Sequence, residues 1–409
     1  MGRKRVLREA GLLALTVNAL RPLRNPWTSL PTFLAGWLTA ELSPHLLAAE
    51  AAATLTGLAR RGLRDRDDRV AAVLGGLSVA GLAALALSGR KAAAEVEAGL
   101  REALGEDYAE GLDHVPTRAE LAVPWRQVLL PFRLADPTVV RRRDLPYAPG
   151  GRRFELDVYH HRDQGAKRPV LIQVHGGAWL TGRKDQQGIP LMLHLAANGW
   201  LCVSVNYPLS PKTRVDQQLV ALKRAVAWVR EHAAEYGGDP GFVAVTGGSA
   251  GGHLATMLAL TGNDPRWQPG FEDADTSVQA CAPHYGVYDL AAETETRAAT
   301  VRLSLLLSRY VVGKDPRRYP ELYRSLSPLA QVRADAPPFF VVHGAADTLV
   351  PVPEAREFVR RLRAVSTNPV AYAEISGAQH AFDVFPSIRS AHVLRGVARF
   401  LEWTSRNRP

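Results

Sequence analysis

Residues 242–260 read FVAVTGGSAGGHLATMLAL. The first six, FVAVTG, are apolar and β-branched in the manner of a buried strand, and AGGHLATMLAL continues with helical character. Gly247-Gly248-Ser249-Ala250-Gly251 joins the two with almost no loop. So sharp a turn forces its central residue into a strained backbone conformation. Gly247 and Gly251 must be small there, because strand and helix approach closely. Ser249 then projects from the top of the sheet, above a helix N-terminus whose free amides and dipole favour negative charge. A nucleophilic serine and the oxyanion it creates need that environment.

The same alternation extends outward. TVVRRRDLPY and RRFELDVYH read as two strands separated by the turn signal Ala148-Pro149-Gly150-Gly151. PVLIQVH (169–175), WLCVSVNY (200–207), VQACAPHY (278–285), PFFVVHG (338–344) and PVAYAEIS (369–376) are near-continuous apolar runs, as in a parallel sheet covered on both faces. Helical stretches separate them. One is 215–237, which carries apolar residues at helical spacing and closes at Gly237. The fold class expected is α/β: a mostly parallel central sheet with helices on both faces, preceded by a helical N-terminal region. Residues 1–115 form that apolar region and 116–409 the catalytic domain, with an insert near 288–327 that either caps the site or merely connects.

A serine alone is a poor nucleophile; it needs a base held by an acid, and donors for the oxyanion. His175-Gly176-Gly177-Ala178-Trp179 follows directly on the strand PVLIQVH, and its glycines let backbone N–H groups turn inward. Among twelve histidines, His380 lies in SGAQHAFD, after the last strand. Asp347 lies in HGAADTLVP, after the strand before it. His343, His392 and His253 are weaker alternatives as base, and Asp289 is an alternative acid.

G-x-S-x-G and HGG-x-W together resemble the α/β-hydrolase superfamily, and more narrowly its hormone-sensitive-lipase-like carboxylesterases and lipases, over about residues 124–409. The resemblance implies a triad in the chain order Ser249, Asp347, His380. It implies an oxyanion hole from the N–H groups of Gly176, Gly177 and Ala250, with His175, Trp179, Gly247 and Gly251 as structural neighbours. Ala178 stands where the commonest lipase form has a third glycine; its N–H can serve if its φ is negative. The implied activity is hydrolysis of carboxylic esters of short to medium acyl chain, on a small-molecule or lipid ester. An arylformamidase or other amidase is the alternative enzyme, and a silent hydrolase fold used for binding is the alternative of another class. A peptidase of the prolyl oligopeptidase type lacks the propeller-like repeat it would need. No metal and no cofactor are expected.

The formal net charge is +10, but the excess is arginine scattered along the chain, without basic–aromatic interleaving or zinc-finger spacing. No nucleic-acid role is expected. Cys202 and Cys281 sit in strand-like runs and read as buried thiols. Within the first hundred residues lie three apolar stretches, 10–20, 27–40 and 70–89. Only the third reaches the ~20 residues a bilayer core requires. It reads as a membrane anchor, or otherwise as a buried helix. Residues 10–20 follow a basic start but lack a cleavage site, so an uncleaved segment is expected. Arg60, Arg61, Arg64, Arg66 and Arg69 favour the cytoplasmic side of the third stretch, which places the C-terminal part outside, in the cell envelope; a cytoplasmic protein is the alternative. The sequence leaves the oligomeric state open.

Overall fold

A computed structural model describes residues 2–163, 165 and 167–407. Five helices come first: α1 (Gly2–Leu20), α2 (Ser29–Glu41), α3 (Ser43–Arg61), α4 (Arg66–Gly89) and α5 (Ala92–Leu104). The short α6 (Trp125–Leu129) precedes β1 (Val139–Pro146), β2 (Glu155–His161) and β3 (Arg168–Val174). Then follow α7 (Ile189–Ala197), β4 (Leu201–Val205), α8 (Val215–His232), β5 (Gly238–Gly248), α9 (Ala250–Leu260) and β6 (Ala280–His284). The insert holds α10 (Arg297–Arg302), which continues as a π-helical segment Leu303–Val311, and α11 (Pro320–Ser325). The chain ends with β7 (Phe339–Gly344), α12 (Pro353–Val365), β8 (Val370–Ile375) and α13 (Ile388–Arg406).

The strands form one sheet in the order β1-β2-β4-β3-β5-β6-β7-β8. β1 and β2 enter antiparallel, and every pairing from β4 to β8 is parallel. Alternate residues of each strand feed two cores. Val170, Ile172, Val174, Val243 and Val245 meet α8, α9 and α12 on one face. Leu171, Phe242, Ala244, Phe340 and Val342 meet α7, α13 and α5 on the other. The continuous apolar runs follow from this, since neither face of a central strand sees water. α5 is part of the second core: its Gly99 lies so close to β8 that a Cβ would sit 2.1 Å from the Tyr372 carbonyl oxygen. Cys202 and Cys281 are buried free thiols within the sheet.

α2 is tied to the start of α13 by buried polar groups. Glu41 accepts hydrogen bonds from Arg389 Nη1 (3.1 Å) and Ser387 Oγ (2.6 Å). Arg389 also donates through Nη2 to Ser88 Oγ (2.6 Å) and through Nε to the Ser376 carbonyl (3.1 Å). Glu41 and Arg389 are each 2% exposed. Removing one partner strands the other charge without water, at a cost of about 3–5 kcal/mol. Glu41→Ala is therefore expected to lower the thermal midpoint clearly. An unchanged midpoint would mean that the pair does not hold α2 in place.

Candidate active site

Three loops meet at the carboxyl ends of the parallel strands. At the β5–α9 junction Ser249 has φ +60° and ψ −123°, the left-handed region that a bulkier turn could not reach. Its N–H donates to the His284 carbonyl (3.0 Å), which ties the turn to β6. A Cβ on Gly247 would lie 2.5 Å from the Gly251 carbonyl oxygen, and one on Gly251 would lie 2.2 Å from that of Val174. No side chain fits at either position.

The second loop follows β3. Gly177, Ala178 and Trp179 have φ of +116°, +54° and +62°, so the negative φ on which a donor role for Ala178 depended is not adopted. A Cβ on Gly176 would come within 3.1 Å of Ser249 Cβ, so this loop lies directly against the serine. The Gly176 N–H, expected to face an oxyanion, instead donates to Gln187 Oε1 (2.7 Å). Its acceptor comes from the loop before α7, eleven residues on, and it removes Gly176 from the set of free donors. The N–H groups of Gly177, Ala178 and Ala250 have no acceptor among the described residues.

The third cluster joins the ends of β7 and β8. His380 Nδ1 lies 2.6 Å from Asp347 Oδ2. Asp347 Oδ1 accepts from the N–H groups of Leu349 and Val350, both at 2.9 Å. The carboxylate is buried and fixed at both oxygens, one committed to the backbone and one to the imidazole. Among the described residues no hydrogen bond joins Ser249 Oγ to His380. Tyr285 packs beside His380, with ring centroids 4.7 Å apart. A Cβ on Gly248 would lie 2.7 Å from the Tyr285 hydroxyl.

The other histidines have structural partners. His175 is buried, stacks on Tyr207 at 4.3 Å and bonds through Nδ1 to the Gly176 carbonyl (2.8 Å). Trp179 Nε1 donates to His253 Nδ1 (3.2 Å), so that ring carries its proton on Nε2, which donates to the Leu326 carbonyl (2.8 Å). His343 is buried, with Nε2 2.8 Å from the Val350 carbonyl and 3.5 Å from Asp347 Oδ2. His392 lies within α13. Asp289 closes its own turn, accepting from the N–H groups of Glu293 (2.9 Å) and Thr294 (2.8 Å). Burial pushes His175 and His253 down to about 4, from an ordinary 6.5. Between those values the unfolded chain binds protons that the folded chain excludes. Stability should therefore be full above pH 6.5 and fall as pH drops towards 4. Unfolding midpoints across that range measure it; a flat profile would mean that these rings are not buried neutral.

Sequence reasoning missed a second network. Asp383 accepts from the Tyr285 hydroxyl and pairs with His284 Nδ1. Burial raises its carboxyl, but the charge and hydrogen bonds of His284 and Tyr285 outweigh that and hold it below the usual range. Asp383 lies three residues beyond His380, while His284 ends β6 and Tyr285 follows it, so the network braces the two loops that carry Tyr285 and His380. Phe33 of α2 was missed as well. Its ring stands edge-on to His380 at 5.9 Å, and Thr348 Oγ1 donates to the Ser29 carbonyl (3.2 Å). Beside Asp347, a 260 Å³ cavity opens between Arg24-Asn25-Pro26 and the insert residues Thr296 and Arg297. Among the described residues no cluster of three or more potential metal ligands occurs.

The family model described as BD-FAE matches residues 156–362. The probable carboxylic ester hydrolase LipM of Mycobacterium tuberculosis is 43% identical over 97% of this chain and 94% of its own length. The esterase LipQ of the same organism is 39% identical over 90% of this chain and 83% of its own. A solved structure, a truncated carbohydrate esterase from gut microbiota, aligns with TM-score 0.57 at 22% identity, covering 66% of this chain and 99% of that one. It shares the fold.

Proposed function

The chain belongs to the BD-FAE family of hormone-sensitive-lipase-like α/β-hydrolases and is a carboxylic ester hydrolase; from there we propose that Ser249, His380 and Asp347 carry the reaction. Ser249 Oγ attacks the ester carbonyl carbon while His380 Nε2 takes its proton. Asp347 holds the imidazole by Nδ1–H and stabilises the imidazolium. His380 then gives the proton to the departing alkoxide, leaving an acyl-serine. Water repeats the cycle and releases the acid. The oxyanion donors are the N–H groups of Gly177 and Ala250. Supporting this choice, Gly176 is already engaged by Gln187.

The observation that carries the proposal is the 2.6 Å His380–Asp347 contact at the same sheet edge as a serine held at φ +60°. The substrates proposed are esters of short to medium acyl chain, with the helical N-terminal region associated with membrane. p-Nitrophenyl esters graded from acetate to palmitate test the chain length. Turnover that peaks among the short and medium acyl groups supports it, and a peak at palmitate would overturn it. Cleavage of the matching anilides in preference to the esters would favour the amidase alternative.

A further inference from the structure

Helices α1, α3 and α4 are built inside out. α4 turns Ala71, Gly75, Ser78 and Leu82 inward. Its outward face, at spacings of three and four, is Val70, Val73, Leu77, Ala80, Ala84 and Leu87. Val73 is 62%, Leu77 53% and Leu87 60% exposed, whereas Ser78 is fully buried. α1 buries Glu9 and Thr16 and exposes Leu7, Leu15, Val17 and Leu20; α3 buries Glu50 and Thr54 and exposes Leu55. A bundle in water does the reverse. Apart from Leu82 and Leu85, which meet Ala19 and Ala40 in a small apolar core near the docked end, the inside is polar and small and the outside aliphatic, which suits helices packed in hydrocarbon, where close backbone approach and interhelical polar contacts hold the bundle together. The approach is close: a Cβ on Gly75 would lie 2.5 Å from Thr54 Oγ1, and one on Gly81 would lie 2.5 Å from Thr16 Cγ2. The buried acids have partners, as membrane-embedded charges must. Arg8 pairs with Glu9 and reaches Glu50 at 3.8 Å, and Arg5 reaches Asp68 at 3.5 Å.

The two ends of the bundle differ. Arg5 lies against Gly57 of α3 and Asp68 of α4, so α1 and α4 run parallel and α3 runs back between them. One end therefore gathers Arg3, Lys4, Arg60, Arg61, Arg64, Arg66 and Arg69. The other end docks on the catalytic edge. Gly89 packs on Ile388, Glu41 pairs with Arg389, and Arg24 donates to the Ala345 carbonyl at 3.1 Å. The uncharged residues 70–89 separate these ends by ~30 Å, the thickness of a bilayer core. At the docked end, Trp27 is 63% and Trp125 44% exposed, as interfacial tryptophans are.

We propose that the bundle of α1, α3 and α4 is seated in a lipid bilayer with α4 as its span, the helix that among the described residues is long and apolar enough to cross, and with α1 and α3 packed along it. The arginine-rich end lies on the cytoplasmic face, and the catalytic edge is held against the opposite leaflet. α2 then lies in the interface between hydrocarbon and site, with Leu30, Leu34 and Leu38 exposed and Phe33 on His380. The substrate class follows: esters carrying an apolar chain that partition into that leaflet and reach Ser249 from the membrane side. This last step rests on the ester-hydrolase mechanism proposed above.

The test uses the full chain expressed in a bacterial host. Washed membranes should retain it through alkaline carbonate, and Val73→Asp with Leu77→Asp should release it. Single cysteines at Arg64→Cys and Asp273→Cys report topology, since Cys202 and Cys281 are buried. In intact spheroplasts an impermeant maleimide should label position 273, and position 64 only after lysis. Extraction of the unaltered chain by carbonate, or labelling of both positions from one side, would overturn the proposal. The cysteine arm stands even if the double aspartate variant fails to fold. Hydrolysis of p-nitrophenyl acetate in detergent is measured alongside. Its persistence in a protein that fails the topology test would sink the bundle and leave the esterase intact. Its absence in one that passes would do the opposite.

Discussion

Ser249→Ala should lower kcat towards p-nitrophenyl esters by about 10⁴- to 10⁶-fold. The hydroxyl is the atom that becomes acylated, and nothing else at the turn can replace it. What remains is the contribution of the oxyanion donors and of binding. The fold should be untouched, because the turn is held by backbone: the Ser249 N–H bond to His284, the His253 N–H bond to the Ser249 carbonyl, and Gly247 against Gly251. Among the described residues the Ser249 hydroxyl has no hydrogen bond to lose. Steady-state kinetics and a melting curve on the same preparation check both parts. Residual activity within tenfold of wild type would remove Ser249 from the chemistry.

Asp347→Asn should cost about 10³- to 10⁴-fold in kcat, and the hydrogen bonds say why. Asp347 Oδ1 is committed to the N–H groups of Leu349 and Val350. In the amide variant the oxygen must stay there, so the NH₂ group faces His380 Nδ1. An NH₂ can only donate, so Nδ1 must accept and the ring proton moves to Nε2. That nitrogen can then no longer take the serine proton. Asp289→Asn supplies the contrast: its carboxylate serves the turn at Glu293 and Thr294, and a few-fold change is expected. If the two variants exchanged these effects, Asp289 would be the acid.

The β5–α9 junction was legible because its chemistry is local. A buried strand, a helix and glycines at fixed offsets leave one way to join them, and Ser249 at φ +60° follows. The strand pattern was legible for the same reason, each run being apolar on both faces. Contacts between segments distant in the chain were not. Nothing in SLPTFLAGWLTAE announces that Phe33 will stand on His380, or that Glu41 will be buried against Arg389. Apolar content marked α4 as a candidate span, but the inversion of α1, α3 and α4 shows only when their buried faces are known. That the Gly176 N–H is engaged by Gln187 was not legible either, because the position of that side chain depends on how the following loop folds back. The Asp383–Tyr285–His284 network likewise needs β6 and the loop after β8 to lie side by side.

The most direct measurement is covalent. A fluorophosphonate forms a stable adduct only with a serine that a neighbouring base activates and an oxyanion site accepts. The protein is labelled in its folded state, digested and read by mass spectrometry. The adduct should sit on Ser249, should be missing from Ser249→Ala, and should fall sharply in Asp347→Asn. An adduct on a different serine, or ester hydrolysis that continues in a protein with no adduct at all, would contradict the assignment of Ser249 as nucleophile.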